Sequence, residues 1–86
     1  MYEISIKIVL DGSMDILEYT TGTPSSLDAC STKLFYAVTR AIGEPSEFEM
    51  NSIRRMQAGI LGGKKQGYEA ISCRAVVSYH LKLTQK

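Results

Sequence analysis

Few residues in this chain could support catalytic chemistry, and the first to consider is the single histidine, His80. It lies between Ser78 and Lys82 on the polar side of an alternating segment, which predicts a solvated imidazole rather than a general base. The two cysteines, Cys30 and Cys73, have no CxxC spacing that would favour a zinc site. The chain also has no GxSxG, HExxH or EF-hand pattern. We therefore expect no enzymatic activity, no cofactor and no metal site.

Basic residues provide a stronger chemical signal than the candidate catalytic groups. Residues 1–52 carry eight acids and three bases, whereas residues 53–86 carry one acid and seven bases. Positive charge of this density can bind phosphate groups or an acidic protein. The alternative is that the acidic and basic parts of the chain lie against each other, so that their charges largely cancel. The basic cluster, in a stretch without acids, consists of Arg54, Arg55, Lys64 and Lys65.

Three glycines within residues 62–67 predict a turn or loop, because glycine loses the most chain entropy in a helix or strand. Its backbone amides could face an anion while Lys64 and Lys65 supply charge. The order of elements differs from that of a phosphate-binding Walker A loop, since a helix precedes this segment and a strand follows it. A solvated turn that its lysines keep soluble is the competing interpretation.

Apolar residues at solvent-facing positions suggest a different function. Val9, Met14 and Ile16 lie on the outer face of a predicted hairpin, and Val76 joins them if the last strand pairs with the first. Tyr36 projects from the polar side of a predicted helix, among cations. Our leading hypothesis is a small noncatalytic protein-interaction module, of the adaptor or inhibitor type, that uses its sheet face or an edge strand. Nucleic-acid binding through the basic cluster is the alternative.

The chain begins with the pattern of a β-hairpin. Residues 2–10 alternate between apolar and polar side chains, and residues 14–20 continue as a second strand. Asp11-Gly12 between them favours a two-residue type I′ turn. That turn would place Ile6 opposite Leu17, with the apolar side chains of both strands on the core face.

Two helices are predicted after the hairpin. Ser25 begins the first, an apolar arc recurs along it at spacings of three and four, and Gly43 ends it. Ser46 begins the second with a capping-box pattern. This second helix ends near Gly59 or Gly62.

Strict alternation from Ile71 to Leu83 predicts a long final strand. At ~3.3 Å per residue it would span roughly 40 Å, longer than its partners. Unpaired backbone on it would favour a homodimer, formed through its edge or through the outer sheet face. The element order β-β-α-α-β predicts an α+β domain with a three-stranded sheet and two helices packed on one face. We expect the last strand to run parallel to the first, in spatial order 2-1-3.

Length and composition predict a single domain over residues 1–86, with 44% hydrophobic and 22% charged residues. The longest apolar run, Leu34 to Val38, is too short to cross a membrane. Glu3 lies where a signal peptide would be basic or apolar. We therefore expect a cytoplasmic protein without membrane partners, in which Cys30 and Cys73 are buried and reduced.

Overall fold

The computed structural model describes residues 2–10, 16–20, 26–71 and 75–83. The strands form one antiparallel sheet in the order β2-β1-β4-β3, and both helices pack on one of its faces. The predicted α+β class and the placement of the helices are confirmed. Within the described residues, no helix combines the length and the hydropathy needed to span a membrane. The elements are β1 (Tyr2–Leu10), β2 (Ile16–Thr20), α1 (Leu27–Ile42), α2 (Glu47–Leu61), β3 (Gln66–Ile71) and β4 (Ala75–Leu83).

The core lies between the helices and one face of the sheet. Alternate residues of β1 and β4 are buried there, while the residues between them face outwards. Helix α1 packs on β1 and α2 packs on β3, so that each helix covers one half of the sheet. The fully buried large side chains include Ile4, Ile6, Ile8, Leu34, Val38, Ile53, Ile60, Ile71 and Val77.

Side-chain caps determine where the helices begin. The Ala29 amide donates to Ser26 Oγ at 3.1 Å, so α1 is capped by Ser26 rather than by Ser25 as predicted. Ser46 and Glu49 form the predicted capping box, in which each side chain accepts from the other residue's amide. Gly43 ends α1 with a φ of 80°, a conformation that glycine adopts without a steric penalty.

The predicted final strand is wrong in its extent and its direction. Residues 66–71 form a separate strand that pairs antiparallel with β4, so the sheet has four strands instead of three. Because β3 reverses the chain before β4, β4 runs antiparallel to β1. The expected position of β1, between β2 and the last strand, is confirmed. Since β4 is paired on both sides, it has no free edge through which a homodimer could form.

The register of the first hairpin differs from the prediction by two residues. Ile6 lies opposite Tyr19, and Leu17 lies opposite Ile8. A shift of two residues keeps every side chain on its original face, so the apolar pattern is satisfied equally by both registers. The Asp11-Gly12 turn, from which we derived the register, lies outside the described residues.

Gly67 lies inside β3, although the sequence predicted a loop there. Its neighbour on β4 is Tyr79, whose ring lies so close that a Cβ at position 67 would overlap it. The Tyr79 hydroxyl donates to the Lys64 carbonyl at 3.0 Å. Glycine is thus tolerated in this strand because the tyrosine ring occupies the space of the missing side chain.

We predict that Gly67→Ala lowers the free energy of unfolding by about 1 to 3 kcal/mol, because the added methyl group forces the buried Tyr79 ring out of place. The control is Gly62→Ala, since Gly62 has a negative φ and a Cβ there would lie 3.4 Å from the Ala58 carbonyl oxygen. That variant should change stability by less than about 1 kcal/mol. Urea denaturation of both variants measures these changes. Equal losses in the free energy of unfolding for the two variants would contradict the prediction.

We predict that Tyr79→Phe costs about 0.5 to 1.5 kcal/mol near neutral pH, because it removes the hydrogen bond to Lys64. Burial raises the pKa of Tyr79 above its usual value of 10.0, so the folded state holds this proton more tightly than the unfolded state. The wild-type protein should therefore lose stability as pH rises through 10, and the Phe variant should lose less. Denaturation at several pH values measures the difference in unfolding free energy between the wild type and the Phe variant. A difference that does not change with pH would contradict the prediction.

Candidate functional site

Among the described strands, β3 pairs with β4 alone, and its other edge is the first feature of the candidate site. The Leu81 amide donates to the Lys65 carbonyl at 2.6 Å, so these residues form a hydrogen-bonded pair of the antiparallel ladder. Such pairs alternate along a ladder with pairs whose backbone groups point away from the partner strand. In β3, the residues whose amides and carbonyls point away from β4 are Gln66, Tyr68 and Ala70.

The same three residues direct their side chains to the outer face of the sheet, opposite the helices. Tyr68 is 70% exposed and lies beside Ser78 on β4. Gln66 lies beside His80, whose exposure agrees with the solvated imidazole predicted from the sequence. These side chains line an open depression of about 810 Å³ that continues towards β1. An exposed aromatic ring therefore lies directly next to unpaired strand backbone.

Residues of opposite charge occupy facing register positions in two places of the sheet. Lys7 on β1 lies opposite Glu18 on β2, and Glu3 on β1 lies opposite Lys82 on β4. Opposite charges at directly facing positions are a favourable cross-strand arrangement. The charges of Glu3 and Lys82 cancel, so this pair provides no positive path for a phosphate backbone.

The basic cluster lies on the other side of β3, next to α2. Arg55 Nη2 contacts Glu69 Oε1 at 3.1 Å and Ser52 Oγ at 2.9 Å, while the arginine side chain stays 60% exposed. A Cβ on Gly59 would lie 3.6 Å from Cδ of Lys64. Because Gly59 follows Arg55 by one helical turn, Arg55 and Lys64 share the side of α2 that faces β3.

The remaining members of the basic cluster, Arg54 and Lys65, are exposed. Glu69, the one acid among residues 53–86, offsets part of the cluster's charge from within the basic part of the chain. This ion pair is largely solvated, so its contribution to stability is small. Arg55 and Lys64, whose contacts place them beside β3, outnumber Glu69 and give this flank of β3 a net positive charge.

The positions of the predicted apolar patch lie at the Ala70 end of the outer face. Val9 is directly opposite Ile16 on one side and Val76 on the other, which brings these three positions together as expected. Val9 and Val76 are half-buried. Met14 lies outside the described residues. Tyr36 is 64% exposed on α1, on the helix layer, so it does not belong to this patch.

Sequence reasoning missed Tyr68 and Phe48. Tyr68 lies in a segment that Gly67 made resemble a loop, although Gln66, Tyr68 and Ala70 do alternate with the residues that face the core. Phe48 is 83% exposed in the first turn of α2. Its position off the apolar arc of that helix was the available signal.

Cys30 is a free, buried thiol, as predicted. Burial raises its pKa, and the nearby Lys33 opposes that shift only in part, so the thiol is protonated at neutral pH and a poor nucleophile. Cys73 lies outside the described residues. In the part of the chain that the structure describes, no three side chains of the metal-binding types come together.

No protein-family model, curated protein or solved structure matches this chain. The candidate functional site is the edge of β3. Two surfaces meet there: an outer face with Tyr68 and a positive flank with Arg55 and Lys64.

We predict alternating protection against amide hydrogen exchange along β3. The amides of Gln66, Tyr68 and Ala70 should exchange more than about tenfold faster than those of Gly67 and Glu69, because only the latter donate to β4. The readout is exchange followed by NMR, corrected for intrinsic rates. Uniform slow exchange along the strand would mean that its edge is already paired.

Proposed function

We propose that this chain is a small noncatalytic protein-interaction module, adaptor or inhibitor in type and cytoplasmic, that accepts an extended segment of its partner as an added strand on β3. The observation that carries the proposal is the alignment of unpaired backbone with exposed Tyr68 along one edge. Strand addition of this kind is a recurring mode of peptide recognition, in which main-chain hydrogen bonds give affinity and side-chain pockets give specificity.

Three features of β3 support strand addition. Its outward backbone groups belong to residues 66, 68 and 70, which gives a bound segment donors and acceptors at every second residue. Tyr68 supplies a large contact at the centre, and aromatic residues are enriched at protein interfaces. The packing of Tyr79 on Gly67 holds the strand in place, so little order has to be gained on binding.

The alternative function is nucleic-acid binding through the basic cluster. Arg55 and Lys64 on a common side of α2 are the observation in its favour. Binding of that kind depends on counterion release, so its affinity falls steeply with salt. It also leaves the edge of β3 unoccupied, which separates it from strand addition.

We predict that Ala70→Pro abolishes binding of extended peptides. Proline at position 70 removes an amide that faces the free edge but none that donates to β4, so the sheet stays intact. The ligand is a peptide selected on the wild-type protein from a displayed random library. Its affinity for the proline variant should fall at least tenfold, and chemical shift changes in the wild-type complex should centre on Gln66–Ile71.

The matched control is Ala70→Ser, which keeps the amide and should bind within about twofold of wild type. Gln66→Pro repeats the test at the first residue of the strand, where proline is best tolerated. Near-UV circular dichroism checks that each variant is folded. Selected peptides that bind both proline variants as tightly as wild type, or a library that gives no binder, would overturn the proposal.

A further inference from the structure

We infer that the segment bound at β3 alternates in sequence, with carboxylate side chains facing Arg55 and Lys64 on the α2 side and apolar side chains facing Tyr68 on the outer face. This inference rests on the proposed strand addition. It names the chemistry of the partner, which strand addition alone leaves open.

The alternation follows from the geometry of an added strand. Side chains of neighbouring strands at facing positions lie on the same face of the sheet. Partner residues opposite Tyr68 and Ala70 therefore lie on the outer face, and those opposite Gly67 and Glu69 lie on the side of α2. The partner strand thus presents two different rows of side chains to two different surfaces.

The α2 side favours carboxylates. Arg55 is directed to this side, as its contact with Glu69 demonstrates, and it keeps most of its surface exposed. Lys64 is there too, beside Gly59. Gly67 adds no side chain of its own to the edge, and Glu69 is the only acid after residue 49. An arginine can accept carboxylates from two sides through its several N–H donors, so Arg55 can hold Glu69 and a partner acid together.

The outer side favours apolar side chains. Tyr68 presents most of its ring, and Ala70 next to it leads to half-buried Val76 and Val9. The neighbours of Tyr68 and Ala70 on β4 are Ser78 and Val76, neither of which is charged. An aliphatic or aromatic side chain above Tyr68 and Ala70 buries apolar area without leaving a charge unpaired.

Charge also favours an acidic segment over a second copy of this chain. Two β3 strands paired antiparallel would be related by a twofold axis perpendicular to the sheet, which leaves both pairs of helices on the same face. The two α2 helices would then lie side by side, with Arg55 and Lys64 of one copy facing the same residues of the other. Like charges at such positions oppose association. The homodimer expected from the sequence is therefore the less favoured occupant of this edge.

The test compares peptides that differ only on one face. The first alternates valine with glutamate, and in the second and third glutamine or lysine replaces glutamate. A fourth has the composition of the first, but its glutamates form a block, which destroys the alternation. Binding is measured by titration calorimetry at low salt and again at about 1 M salt, where the Debye length shortens to about 3 Å.

At low salt we expect the glutamate peptide to bind at least tenfold more tightly than the glutamine peptide, and the lysine and blocked peptides to bind more weakly still. High salt should reduce the difference in affinity between the glutamate peptide and the glutamine peptide. The double variant Arg55→Gln and Lys64→Gln should remove most of that difference. Lys33→Gln, which removes an exposed charge from α1, should leave the difference in affinity between the glutamate and glutamine peptides unchanged.

Each failure has its own signature. Equal binding of the glutamate and glutamine peptides, lost in Ala70→Pro, would overturn the acidic preference and retain strand addition. Binding that survives Ala70→Pro would overturn strand addition itself. Binding of single-stranded oligothymidylate, with none of any peptide, would overturn both in favour of the nucleic-acid alternative. A concentration-dependent dimer in sedimentation, lost in Ala70→Pro, would assign the edge to a second copy and overturn the inference.

Discussion

The packing of the Tyr79 ring against the backbone of Gly67 is the contact on which the position of β3 depends. The ring extends from β4 across the glycine, and its hydroxyl reaches the Lys64 carbonyl in the turn after α2. One side chain thereby connects the end of a helix, a turn and two strands. Because tyrosine is nearly fully buried there, a larger residue at 67 would move the strand and with it the row of outward backbone groups.

Charge is arranged differently on the two sides of this strand. On the outer face, Glu3 on β1 lies opposite Lys82 on β4. On the side of α2, Arg55 and Lys64 lie near Glu69, the one acid after residue 49. The near-zero net charge of the whole chain therefore conceals a positive flank beside β3.

Local signals in the sequence predicted most of the elements, and the errors arose where distant residues decide the outcome. The capping box at Ser46 and the glycine at 43 act within one helical turn, so both helices could be placed from them. The hairpin register could be predicted only from the turn residues, because shifting one strand by two residues leaves the apolar pattern unchanged. Gly67 favoured a loop over a strand, because the sequence does not show that the Tyr79 ring, twelve residues later, packs on this glycine. The site depends on that strand, so Tyr68 could not be identified as part of an edge from the sequence.

The central ladder between β1 and β4 joins the two most distant parts of the described chain, with Tyr2 opposite Leu83. Each half of the sheet is by contrast a local pairing, β1 with β2 and β3 with β4. Closing the ladder therefore requires a loop of nearly the whole chain, which raises the contact order and slows folding. Until that closure, β1 and β4 are themselves open edges, and β4 of one molecule can pair with β1 of another. Such a domain swap would reproduce the native ladder between two chains, so a swapped dimer retains the same core and leaves β3 at the edge.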